Sequence, residues 1–165
     1  MKNLTTLYRS TFLMLLAFLY SFACVAQLQE IESSKIDWTT VGEIKWLANT
    51  KASLKYFVSS NDSIYDLNLQ DDEKLMNSRE MTVRKYFSIK YSGVDNTTGK
   101  LYELLISFFR GQNQKDKKLV KIFKLGDEMV HIQHYPKLMG AAIMFSTKEN
   151  HIVFTENELK KLFGK

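Results

Sequence analysis

Three times along this chain a short apolar-rich run, a turn and a second such run follow one another, and no other feature restricts the fold as much. Leu54, Tyr56 and Val58 alternate, Ser-Ser-Asn-Asp turns the chain, and Tyr65, Leu67 and Leu69 alternate again. KLVKIFKL and MVHIQHY flank Gly126-Asp127-Glu128; AAIMFST and HIVF flank Lys148-Glu149-Asn150. Alternation at a period of two places successive side chains on opposite faces of a strand, and paired runs around a turn read as β-hairpins. A further run, MTVRKYFSIKYS, gives Met81, Val83, Phe87, Ile89 and Tyr91 one parity, with one face buried and one wet. A polar link, Asp71 to Glu80, precedes it.

Helical patterns fall between these runs. In TTVGEIKWLANTK, Val41, Ile44, Leu47 and Ala48 recur at helical spacing behind a threonine able to cap the start. In LYELLISFFRG, Leu101, Leu104, Leu105, Phe108 and Phe109 form a wide apolar stripe that stops at Gly111. The chain ends in TENELKKLFGK, where Thr155 and Glu158 have capping-box spacing and Leu159, Leu162 and Phe163 can dock the helix. The expected order is α-βββ-α-ββββ-α. Without a βαβ crossover rhythm, this is an α+β fold on a mainly antiparallel sheet of about six to seven short strands with two or three helices.

The N-terminal segment has the layout of a secretory signal peptide. Lys2 and Arg9 precede an apolar run from Phe12 to Phe22, and Cys24-Val25-Ala26 puts small side chains one and three residues before a cut after Ala26. The run is short against the roughly 20 residues of a membrane span. Cleavage between Ala26 and Gln27 resembles that of many exported proteins of the Bacteroidota, and the resemblance implies a periplasmic or extracellular location. The alternatives are an uncleaved anchor and a lipoprotein anchored through Cys24, although Ser21-Phe22-Ala23 lacks the leucine-like residue that lipidation favours. The domain reading is a signal peptide over 1–26, a flexible lead over 27–35 and a single α+β domain over 36–165, with no membrane span in the mature chain.

Composition narrows the function classes. The leader holds two of the 23 basic residues and none of the 18 acidic ones, so the mature chain carries a net charge of +3. That mild excess does not point to nucleic acid, which an exported chain seldom meets. The only cysteine, Cys24, falls in the leader. The mature chain therefore has neither disulfides nor thiolate chemistry and rests on its apolar core.

No local motif supplies an active site. SGVDNTTGKL follows a strand and opens a helix, as a phosphate-binding loop does. However, five residues separate Gly93 from Gly99 and Leu101 stands where the magnesium-binding hydroxyl belongs, so Asn96, Thr97 or Thr98 reads as a helix cap. In HIQH, His131 and His134 would share a helix face but fall on opposite faces of the strand expected there. No Gly-x-Ser-x-Gly elbow is present, and Asp71-Asp72-Glu73 sits in the polar link. No catalytic residue, cofactor or metal site is expected. A small envelope hydrolase with a dispersed active site stays open as the alternative function.

The leading expectation is a non-enzymatic exported domain that binds an envelope or extracellular protein or an anionic glycan. KDKKLVKIFK offers Lys117, Lys118, Lys121 and Lys124 as partner-binding residues; such lysines also discourage unwanted pairing at a sheet edge. Trp38, Trp46, Phe108 and Phe109 read as core aromatics. Asp62-Ser63-Ile64 resembles the Asp-Ser/Thr-apolar acceptor of O-glycosylation in exported Bacteroidota proteins, which makes Ser63 a candidate modification site at a hairpin tip.

Overall fold

A computed structural model describes residues 36–47, 49–59, 62–76, 82–138 and 140–165. The leader, the cut at Ala26 and Gln27, Cys24 and the polar lead lie outside the described residues. The seven alternating runs become strands, and a further strand precedes them, giving β1 (Thr39–Trp46), β2 (Asn49–Ser59), β3 (Asp62–Met76), β4 (Thr82–Ser92), β5 (Val120–Leu125), β6 (Glu128–Tyr135), β7 (Ala142–Ser146) and β8 (His151–Thr155). They form two separate four-stranded antiparallel sheets, each in chain order. Between them lie helix α1 (Thr97–Ile106), a 3-10 turn (Ser107–Phe109) and the short helix α2 (Gly111–Lys115), and helix α3 (Glu156–Leu162) ends the chain. The α+β mixture and the antiparallel pairing are present. The order is ββββ-αα-ββββ-α, with two sheets in place of one.

Two expectations need correction. The helix expected over Thr39 to Lys51 is instead β1 and the start of β2. Of its helically spaced residues, Ile44 is buried and Val41 partly so, whereas Leu47 is exposed in the turn at φ 55°. Gly42 explains the strand: an added Cβ would strike the Lys161 and Leu162 carbonyls, so α3 crosses β1 in backbone contact. The polar link is corrected too, because β3 runs through Asp71 to Met76 and pairs again with β4 beyond an irregularity between Gln70 and Lys74.

The hairpin registers follow the alternation. Leu54 faces Leu67, which faces Ile89; Tyr56 faces Tyr65, which faces Tyr91. The three tyrosine rings stack, with centroids 5.5 and 5.4 Å apart. In the second sheet, Val130, Ile132, Ile143, Phe145, Ile152 and Phe154 share the inner face. Both inner faces join one continuous core with Leu101, Leu105, Ile106 and Phe108 and with Leu159 and Leu162 of α3. The capping box is formed: Thr155 Oγ1 accepts from the Glu158 N–H, and Glu158 Oε2 accepts from the Thr155 N–H.

Candidate binding surfaces

Each sheet has two edges, and their coverage decides where a partner can pair. Helix α3 lies against β1. At β8 the outward backbone groups are met by side chains from the first sheet and the capping box. Asp71 Oδ1 accepts from His151 N–H at 3.3 Å, Asp72 Oδ2 from Val153 N–H at 2.7 Å, and Lys51 Nζ donates to the Val153 carbonyl at 2.7 Å. Two acids of the expected polar link, Asp71, 3% exposed, and Asp72, exposed, thus serve as a substitute strand.

Strand β5 has no such cover. No backbone hydrogen bond joins it to a described strand on its outer side. Since His151, Val153 and Thr155 point their N–H groups away from β7, alternation along the ladders turns Lys121, Phe123 and Leu125 toward β6. The free edge therefore presents the backbone N–H and C=O of Val120, Ile122 and Lys124. Their side chains lie on the solvent face, with Val120 47% and Ile122 56% exposed.

The four lysines do not act alike. Lys124 is exposed on this edge, 3.9 Å from Asp127. Lys117 and Lys118 are exposed in the preceding turn, where Lys117 Nζ donates to the Gln114 carbonyl. Lys117 also lines a hollow of about 470 Å³ with His134, Tyr135 and Lys137. Lys121 points the other way: its ammonium donates to Ser107 Oγ at 3.0 Å and lies over the Phe108 ring.

A cleft of about 640 Å³ lies elsewhere. It is bounded by the end of β1, by Lys51 and Gln70, by Arg84 on β4 and by Glu158 and Lys161 on α3. Trp46 stands here 63% exposed, against the expectation of a core aromatic. Arg84 lies over its ring at 5.5 Å, and Arg84 Nη1 donates to Gln70 Oε1 at 2.8 Å. Gln70, 4% exposed, donates in turn to the Tyr86 hydroxyl. The lining acids are engaged internally. Glu43 is held below its ordinary carboxyl value by its bond to Lys45, with help from Thr50. Burial alone would raise Glu158, but Lys51 and Thr155 together bring it below the usual value. Asp72 accepts from Val153.

The remaining candidates find local explanations. His131 and His134 fall on opposite faces of β6, where His134 Nε2–H donates to the Asn113 carbonyl at 2.8 Å and its ring sits edge-on to Phe108. Among the described residues no group of three or more His, Cys, Asp and Glu side chains could hold a metal ion. Ser146 stands opposite His151 but donates to the His131 carbonyl, so no nucleophile–base bond forms there. Asn96 takes the N-cap position of α1 in a left-handed conformation without a side-chain cap bond. Ser63 is half-buried within β3, where its carbonyl accepts from Gly93 N–H. Trp46 was discoverable from its neighbours: KWLANTK sets it between a lysine and a turn, which suits a strand end better than a core. No protein-family model, curated protein or solved structure matches this chain.

Proposed function

We propose that the mature chain, from Gln27, is an exported, non-enzymatic domain that binds an envelope or extracellular protein by accepting an extended acidic segment along β5. One observation carries this: β5 is a sheet edge with good strand formers and free outer backbone groups, with exposed Lys124 on the strand and exposed Lys117 and Lys118 in the turn before it. An added strand would satisfy the edge groups of Val120, Ile122 and Lys124 and bury Val120 and Ile122. Acidic side chains on the partner would meet the lysines, and this part of the attraction would weaken as salt shortens the screening length to about 3 Å near 1 M.

The test is recovery of partners from the host envelope by tagged mature protein, compared between variants. Ile122→Pro removes an outward N–H without removing a ladder bond, so it should abolish recovery while leaving the fold intact. Lys117→Glu, Lys118→Glu and Lys124→Glu together should reduce it strongly at low salt. Lys121 is left in place because it serves Ser107 and Phe108. Equal recovery by all proteins, with unchanged circular dichroism, overturns the proposal. Export itself is checked by intact mass: the expected species starts at Gln27, and one retaining an acylated Cys24 contradicts it.

A further inference from the structure

We propose that the cleft beside Trp46 is a second binding site, separate from β5, and that it takes a carboxylate-bearing sugar unit of an acidic glycan. Ligand clefts of about 300–1,000 Å³ combine an apolar or aromatic wall with a few placed polar groups, and this one fits that description. The wall is the Trp46 indole, whose exposed surface can pack against the C–H face of a pyranose. The polar groups include two cations, Arg84 and Lys161, that form no ion pair with a described residue.

Arg84 is the anchor. Its guanidinium is held from behind by the buried Gln70 amide and flanked by Trp46, which fixes its orientation before a ligand arrives. Only one of its nitrogens is used by Gln70, so donors remain for a carboxylate in the paired geometry that arginine favours. The lining acids do not compete. Glu43 is occupied by Thr50 and Lys45, Glu158 by Lys51 and Thr155, and Asp72 by the Val153 amide. A neutral sugar would leave Arg84 uncompensated, whereas a carboxylated one meets both the aromatic wall and the charge. A ligand with charge but no ring, such as acetate, would meet only the second.

The experiment is calorimetric titration, with tryptophan fluorescence in parallel, of the mature protein with a uronic-acid tetrasaccharide. Controls are a neutral tetrasaccharide, a sulfated one and sodium acetate. The uronate should bind saturably and perturb fluorescence, with the others markedly weaker. Arg84→Gln should weaken uronate binding about ten- to hundredfold, the loss expected for a charged hydrogen bond, and erase the preference over the neutral sugar. Trp46→Ala should weaken uronate and neutral sugar alike, with circular dichroism confirming that both variants are folded. Absence of saturable uronate binding overturns the site. So does binding unchanged in folded Arg84→Gln and Trp46→Ala, and equal or tighter binding of the sulfated sugar overturns the carboxylate assignment. None of these measurements depends on β5, and Ile122→Pro should bind the uronate like the parent.

Discussion

Tyr91 carries the clearest pH signature of any single residue. Burial pushes its hydroxyl from the usual 10.0 up to about 12, with the Thr98 hydroxyl partly opposing this. The folded chain therefore keeps a proton that the unfolded chain loses first. The stability tied to it is complete below pH 10 and falls as pH rises through about 12, by about 2–3 kcal/mol at most. Urea midpoints measured across that range should fall more steeply for the parent than for Tyr91→Phe; parallel curves would refute the assignment. Leu105 and Leu104 give a second residue-scale test. The apolar stripe of α1 was legible in the sequence, but its centre was not: Leu105 is 2% exposed, whereas Leu104 is only partly buried against the core. Leu105→Ala should cost about 2–5 kcal/mol by chemical denaturation, and Leu104→Ala clearly less. The offset arises because the chain leaves α1 through the 3-10 turn at Ser107, which lets Phe108 and Phe109 enter the core independently of helical spacing.

At the scale of elements, hairpin punctuation was the reliable signal. The Gly126-Asp127 turn, the β7–β8 turn and the β2–β3 pairing all stand where alternation and turn residues placed them. What sequence could not show is how an edge is closed by residues 80 positions away. Asp71 and Asp72 read as solvated because their neighbours are polar, yet they replace a missing strand beside β8. That function is testable. Asp72→Ala should strip hydrogen-exchange protection from the Val153 amide and cost about 1 kcal/mol, the net value of one such bond. Asp72→Asn keeps an accepting oxygen and should retain most of the protection. An equally protected amide in Asp72→Ala would mean that the edge is closed by something else. The misread first helix has a related cause. Helical spacing in TTVGEIKWLANTK mixes buried Ile44 and partly buried Val41 with exposed Leu47, so periodicity there reflected no single buried face.

For the molecule as a whole, the unexpected feature is the division into two sheets that nevertheless share one core. Sequence showed antiparallel hairpins but not their partition, because local alternation is the same whether neighbouring hairpins join one sheet or two. The two proposed binding surfaces were legible to different degrees for the same reason. The lysine run marked β5 directly, whereas the Trp46 cleft draws on Gln70, Arg84 and Lys161, which only the packing of α3 and the β3–β4 pair brings near β1. The shared core has a thermodynamic consequence. Ile44, Leu54 and Leu67 of the first sheet, Val130 and Phe145 of the second, and Leu105 and Leu159 of the helices form one contiguous cluster. Gly126 binds the halves further: it sits at φ 58°, where an added Cβ would strike the Lys90 carbonyl of β4. Neither sheet can lose its inner face without exposing the other's, so the two should unfold together, as domains under about 150 residues usually do. The tryptophans make this measurable. Trp38 precedes β1, packed edge-on against Phe57, and Trp46 ends β1, so fluorescence follows the first sheet alone while circular dichroism follows both. Urea midpoints from the two probes should coincide in the parent and shift together in Gly126→Ala. A fluorescence transition displaced from the circular dichroism transition would show that the sheets are separate folding units and that the contact at Gly126 does not couple them.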